Sequence, residues 1–214
     1  MLITNEDNME LMARYEDNYF DLAIVDPPYG INIAKNGSVG GVGVCKVTDY
    51  GAKQWDSKPP NKSYFIELQR VSKNQIIWGA NHFIENIPNS NSSCWVVWDK
   101  DNTGNFADSE LAYTSFDTSV RNFKWRWNGM LQQNMKNKQK RIHPTEKPIQ
   151  LYEWLLMNYA KDGYRILDTH LGSGSIAIAC HNLGYDLTAC ELDKDYYDAA
   201  MKRIEQHKAQ IRMF

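Results

Sequence analysis

The sequence lacks any cysteine spacing that would frame a metal. Cys45, Cys94, Cys180 and Cys190 are too scattered for a zinc or iron–sulfur site. They read instead as reduced thiols, as expected in a cytoplasmic protein. No apolar run approaches membrane-spanning length, so no membrane partner is expected. The first residues, MLITNEDNMELM, lack a basic stretch followed by an apolar one, so no secretory signal is expected. An excess of one charge is missing too. The net charge is −2, which gives no global attraction to a polyanion. Nucleic-acid binding would need a local basic patch. Internal repeats, low-complexity tracts and linkers are absent, so residues 1–214 read as a single domain. At 43% hydrophobic and 23% charged residues, a chain of this length can build one full core.

What is present is an alternation of strands and helices. Short apolar runs at 2–4, 22–25, 75–78, 94–98, 165–168 and 187–192 read as strands, with two more within 110–127. Helical spacing covers 9–15, 62–71, 148–160, 176–183 and the region after Asp193. Asn61 and Asp193 are good caps, and Gly184 is a good stop. Residues 31–60 read as a long loop rich in glycine. Alternation of this kind implies an α/β fold with a doubly wound, mainly parallel sheet.

The chain is organised around Asp26-Pro27-Pro28-Tyr29-Gly30, which follows the apolar run Leu22-Ala23-Ile24-Val25. The two prolines stop the strand and fix a stiff turn. Ligands of open α/β sheets bind at such strand ends. An exocyclic amine on a nucleobase is a poor nucleophile, because its lone pair is delocalised into the ring. Acceptors on its N–H groups would release that lone pair. Asp26 and the carbonyl of Pro27 are candidate acceptors, and Tyr29 offers a ring on which a flipped-out base can stack. A plain strand-ending turn uses the same residue types.

A second glycine-rich turn runs from Asp168 through Thr169, His170, Leu171, Gly172, Ser173 and Gly174 to Ser175. No lysine follows the glycines, so the phosphate-cradling loop is excluded, and the third glycine of a dinucleotide fingerprint is missing. Glu191, with Leu192 beside it, stands at the next strand's end, the usual place for a carboxylate that grips ribose hydroxyls. A nucleoside cofactor without phosphates fits, and S-adenosylmethionine is one.

The densest cationic run, Lys136, Lys138, Lys140 and Arg141, lies in a polar loop over 128–147. It reads either as a solvated surface or as a phosphate-contacting loop. In 122–127, Phe123, Trp125 and Trp127 alternate with Asn122, Lys124 and Arg126. The aromatics are expected to face the core and the cations water. With nucleic acid, the loops 31–55 and 128–142 are expected to become ordered.

Together these motifs resemble the amino-methylating DNA methyltransferases in their permuted beta-class order, the N-4/N-6 DNA methylase family. Asp26, Pro27, Pro28 and Tyr29 match the catalytic motif, and Asp168 to Gly174 looks like the cofactor loop. His143-Pro144-Thr145-Glu146-Lys147-Pro148 looks like the motif preceding that loop. The resemblance therefore implies that His143, Thr145 and Lys147 line the cofactor pocket, and that Asp7 meets the cofactor adenine. Departures are Thr169-His170 where Pro-Phe is usual, Ser175 for Thr, and Glu146 for Gln.

The implied fold is a seven-stranded methyltransferase sheet in which residues 2–4 sit beside residues 187–192. Target recognition would fall to a small insertion at about 99–142. The implied function is S-adenosylmethionine-dependent methylation of adenine N6 in DNA, with restriction-modification or phage proteins as relatives. Cytosine N4 and RNA adenine are the enzymatic alternatives, and an idle DNA-binding module is the non-enzymatic one. No metal is expected, and a homodimer is left open.

Overall fold

The computed structural model describes residues 1–33, 35, 51–102, 107–127 and 131–211. Cys45 and most of the loop expected over 31–60 lie outside the described residues. The elements, in order, are β1 (Leu2–Thr4), α1 (Asn8–Met12), β2 (Phe20–Val25), α2 (Lys62–Val71) and β3 (Ser72–Trp78). Next come β4 (Trp95–Asp99), β5 (Ser109–Thr114), β6 (Arg121–Lys124) and α3 (Ile149–Tyr159). The chain then runs through β7 (Arg165–Asp168), α4 (Ser175–Leu183), β8 (Asp186–Cys190) and α5 (Lys194–Ile211).

The strands form one sheet in the order β1-β8-β7-β2-β3-β5-β4-β6. The expected doubly wound, mainly parallel methyltransferase sheet is there, but it holds eight strands and not seven. The first five strands in that order are parallel, β5 runs antiparallel between β3 and β4, and β6 adds parallel to β4. β6 is the added edge: Trp98 pairs with Phe123 and Asp99 with Lys124. The two ends of the chain meet as expected, Leu2 beside Thr188 and Thr4 beside Cys190.

Period-2 side-chain alternation sorts the central strands between two cores. Leu22, Ile24, Ile76, Trp78, Ile166 and Leu187 face α3, α4 and α5. Ala23, Val25, Ile77 and Leu167 face α1 and α2. The helices present matching stripes. Tyr196, Ala200 and Ile204 are buried one turn apart on α5, and Tyr64, Phe65, Leu68 and Val71 on α2. Asn61 caps α2 by accepting from Tyr64 N–H at 3.2 Å, and Asp193 caps α5 through Asp195 and Tyr196 N–H. The final helix therefore starts where expected.

Several boundaries differ from expectation for local reasons. α1 ends at Met12, not at 15, and the aromatic rings of Tyr15, Tyr19 and Phe20 pack on one another beyond it. β3 begins at Ser72, directly after α2, because its polar start is paired: Ser72 lies opposite Phe20. Pro148 occupies the cap position of α3 in extended conformation, one residue before the helix. β6 stops at Lys124, so Trp125 and Trp127 fall outside the strand. β8 stops at Cys190, and Glu191 turns away to bond the neighbouring loop.

Leu22 is fully buried in the middle of the sheet. Leu22→Ala is expected to cost about 2–5 kcal/mol through lost burial and the cavity left behind. Chemical denaturation of the variant, with unchanged slope and a lowered midpoint, checks this.

Candidate active site

Parallel strands bring their carboxyl ends to one edge, and this edge collects the acidic residues. Asp26 follows β2, Asp168 ends β7 and Glu191 follows β8, on three neighbouring strands. β5 runs antiparallel, so its start carries Glu110 to the same edge. This is the crevice in which open α/β sheets take their ligands.

Asp26 does not stand alone there. Its Oδ2 lies 2.6 Å from Lys147 Nζ, and its Oδ1 accepts from Tyr29 Oη at 2.8 Å. Lys147 also reaches Glu110 Oε2 at 3.0 Å and Tyr29 Oη at 3.1 Å, and its side chain is 2% exposed. Its ammonium sits 5.4 Å from the Trp78 ring and 5.5 Å from the Tyr29 ring. Lys100 closes the cluster on Glu110. Burial opposes the Lys147 charge, but Asp26 and Glu110 outweigh it and hold its pKa up. Burial likewise raises the Asp26 carboxyl, against the pull of Lys147. Glu110 is half-buried, and Lys147 and Lys100 bring it to about 2 against the desolvation that opposes its charge. Lys147, expected at the cofactor pocket, therefore points its charge at the catalytic-motif carboxylate.

The Tyr29 ring depends on a glycine that the sequence did not single out. A Cβ on Gly79 would lie 2.1 Å from the Tyr29 ring, so only glycine lets the ring settle against the end of β3. Gly79 also adopts φ +68°, a region that disfavours other side chains. The exposed His82 ring, just beyond, stacks on Tyr29 at 5.0 Å between centroids. Pro27 is buried and Pro28 half-buried beneath this arrangement.

On the cofactor side, Asp168 is 2% exposed and accepts from His170 N–H at 2.9 Å. Burial pushes its carboxyl up to about 8. Glu191 is anchored by two backbone amides, Gly172 N–H on Oε2 at 2.8 Å and Asp193 N–H on Oε1 at 2.9 Å. Each oxygen retains a lone pair for a further donor. Asp7 caps α1 through Met9 N–H at 2.8 Å. Asn8, the next residue, meets His170 Nε2 at 3.1 Å. Thr169 bonds Tyr64 Oη at 2.6 Å and His170 Nδ1 at 3.0 Å. Burial keeps His170 neutral, with a pKa brought down to about 3. Leu192 is 69% exposed.

The motif before the cofactor loop lies beside the glycine turn. His143 is buried, brought down to about 3 by burial and then by Lys147. Its ring is the nearest side chain to the space a Cβ on Gly172 would take, at 3.9 Å. Thr145 Oγ1 lies 3.1 Å from His143 Nδ1. Glu146 pairs with Arg203 of α5 at 3.2 Å, and Arg203 donates to Ser173 O at 2.9 Å and Ser175 Oγ at 3.0 Å. Ser173 and Ser175 are 3.1 Å apart through their hydroxyls. Gly174 completes the turn.

Among the candidate phosphate contacts, Lys136, Lys138 and Lys140 are exposed and Arg141 is half-buried, all in one segment. The other cationic face is paired within the protein: Lys124 lies 2.8 Å from Asp101 and 4.0 Å from Asp99, and Arg126 also pairs with Asp101. Phe123 and Trp127 are buried, as the alternation predicted. Sequence reasoning did not find Glu110, Asp56, Gly79 or Arg203. Each lies far in sequence from the motif it supports.

The donor set suits a cationic nucleoside. Carboxyl groups at Asp7, Asp168 and Glu191 flank a glycine turn, and the two ammoniums of the adjoining cluster are already paired, Lys147 with Asp26 and Glu110 and Lys100 with Glu110. Comparisons with known proteins agree. The N6/N4 DNA methylase family model matches residues 20–202. The Type II methyltransferase M2.DpnII of Streptococcus pneumoniae is 23% identical, over 96% of this chain and 90% of its own. M2.LlaDCHI of Lactococcus lactis subsp. cremoris is also 23% identical, over 96% and 89%. Among solved structures, the M1.HpyAVI–SAM complex superposes with a TM-score of 0.56 at 20% identity, covering 94% of this chain and 98% of that one. The cytosine-N4-specific PvuII DNA methyltransferase gives 0.58 at 11% identity, covering 98% and 91%. The chain belongs to the N6/N4 family of S-adenosylmethionine-dependent DNA methyltransferases.

Proposed function

We propose that this methyltransferase acts on the exocyclic N6 amine of an adenine flipped out of DNA. The observation that carries the reading is the Asp26 carboxylate, held at the end of β2 by Tyr29 and Lys147, one strand away from Asp168. When bound, S-adenosylmethionine supplies an electrophilic methyl group. Asp7, Asp168, Glu191 and the 172–175 turn would hold it, with His143 and Thr145 beside them. Asp26 accepts one N–H of the target amine and the Pro27 carbonyl the other, which frees the nitrogen lone pair for attack. Lys147 favours the ionised form of Asp26 in a site where burial favours the proton. Tyr29 supports the base, and residues 136–141 meet the phosphates. Labelled methyl transfer to DNA and RNA in parallel, followed by nucleoside mass spectrometry, tests this. N4-methylcytosine would replace adenine as target, and label in RNA alone would replace DNA.

Asp26→Ala is expected to lower turnover by about 10²–10⁴-fold with cofactor affinity nearly intact. Calorimetry and single-turnover rates on the same protein separate the two. Near-wild-type turnover would remove Asp26 from the role.

Lys147→Met removes the largest influence that lowers the Asp26 pKa, leaving burial and the like charge of Glu110, which raise it, against the Tyr29 hydrogen bond alone. The acid limb of the pH–rate profile should therefore move to higher pH. A limb that stays in place belongs to another group.

Changing Lys138, Lys140 and Arg141 to Ala together should flatten the slope of log affinity against log salt by about two to three, at roughly 0.9 per phosphate contact. Binding should weaken uniformly across sequences while cofactor affinity holds. An unchanged slope would leave the segment as solvated surface.

A further inference from the structure

Asp56 is 1% exposed, yet its carboxylate meets backbone amides and no cation among the described residues. Its Oδ1 accepts from Tyr29 N–H at 2.7 Å and Gly30 N–H at 2.9 Å, and its Oδ2 from Ile33 N–H at 2.9 Å. Its own carbonyl accepts from Asn32 N–H at 2.9 Å. Pro27 and Pro28 have no N–H, so Tyr29 and Gly30 carry the first amide donors after Asp26. Asp56 takes both. A Cβ on Gly30 would lie 2.6 Å from Pro59 Cδ, so the chain after Asp56 packs directly on the turn.

The residues just before Asp56 reach the opposite side of the cleft. The Trp55 ring lies 5.2 Å from His143. Lys53 Nζ lies 2.6 Å from Asp193 and 2.9 Å from Asp195, and 4.4 Å from the Tyr196 ring. Asp193 follows Glu191 by two residues and donates its amide to that carboxylate. Four consecutive residues thus join the start of α5, the 143–148 motif and the catalytic turn.

We propose that Asp56 is a positioning residue for the Asp26–Tyr29 turn, and that residues 53–56 form a strap fixing that turn relative to the cofactor side. This rests on the reading of Asp26 as the amine acceptor. A turn that loses its three amide anchors lets Asp26 and Tyr29 shift, and a misplacement near 1 Å costs on the order of 10²-fold in rate.

The test compares wild type, Asp56→Ala, Asp56→Asn and Lys53→Met for kcat, equilibrium S-adenosylmethionine affinity and amide hydrogen exchange. Asp56→Ala should lose about 10²-fold in kcat with cofactor affinity nearly unchanged, and lose protection at Tyr29, Gly30 and Ile33. Asp56→Asn keeps an oxygen for Tyr29 and Gly30, so it should lose less rate and expose Ile33 alone. It also carries the test should the alanine variant not fold. Lys53→Met should lower kcat, and its effect should combine less than multiplicatively with that of Asp56→Asn. Unchanged kcat in Asp56→Ala beside an active wild type would overturn the positioning role. Multiplicative effects, or a silent Lys53→Met, would overturn the strap. A wild type that transfers no methyl while Asp56→Ala still loses protection at those amides would overturn the function proposed above and keep Asp56 as the anchor of the turn.

Discussion

The rest of the site depends on one buried ammonium. Lys147, its own side chain almost closed to water, meets half-buried Asp26, half-buried Glu110 and the Tyr29 hydroxyl. Two carboxylates buried this close together would repel each other and take up protons. The ammonium makes their ionised forms compatible. It also gathers segments that are remote in sequence: the end of β2, the start of β5 and the motif before α3. With Oδ1 held by Tyr29 and Oδ2 by Lys147, Asp26 has one orientation, and the lone pairs it has left face a defined direction. On the proposed reading, a preorganised acceptor of this kind needs no rearrangement at the moment of reaction.

Much of this was legible because parallel sheets declare themselves locally. The apolar runs of β2, β7 and β8, the caps Asn61 and Asp193, and the stop at Gly184 each follow from a few adjacent residues. The strand-end position of Asp26, Asp168 and Glu191 followed from the same runs. What could not be read was pairing across the chain. Glu110 reaches the site only because β5 runs antiparallel, and sequence alone did not give that direction. Gly79 looks like an ordinary loop glycine until the Tyr29 ring is laid on it. Lys147 sits in a motif assigned to the cofactor pocket, and only the fold shows that its charge is paired with Asp26 and Glu110. The runs counted one by one already allow eight strands, and it was the family resemblance that implied seven; the alternation in 122–127 marks β6 but continues past the point where it stops pairing.

The departures from the family pattern come with local partners. Thr169 and His170 replace an apolar pair, and a polar chain from Tyr64 through Thr169 and His170 to Asn8 now lines that wall. Polar groups at such a buried position are tolerable only when hydrogen-bonded. Glu146 introduces a charge, and Arg203 on α5 answers it while also bonding Ser173 and Ser175. Arg203 thereby ties the motif before α3 to the glycine turn.

Charge is also separated across the molecule in a way that suits a polyanion bearing a neutral base. The edge of the sheet carries the carboxyl groups of Asp7, Asp168 and Glu191; a bound cation would oppose the burial that pushes Asp168 up to about 8 and favour the ionised forms, which disfavour phosphate there. The lysines nearest the chemistry are spent within the protein: Lys147 on Asp26 and Glu110, Lys53 on Asp193 and Asp195, Lys100 on Glu110. Lys124 and Arg126 are answered by Asp101. A backbone drawn toward residues 136–141 would be kept out of the crevice itself, and only an uncharged base could enter without an electrostatic penalty. On the proposed reading, base flipping is then favoured by the same field that holds the cofactor, because extrusion is the only way the polyanion can bring a reactive atom to Asp26 while leaving its charge outside.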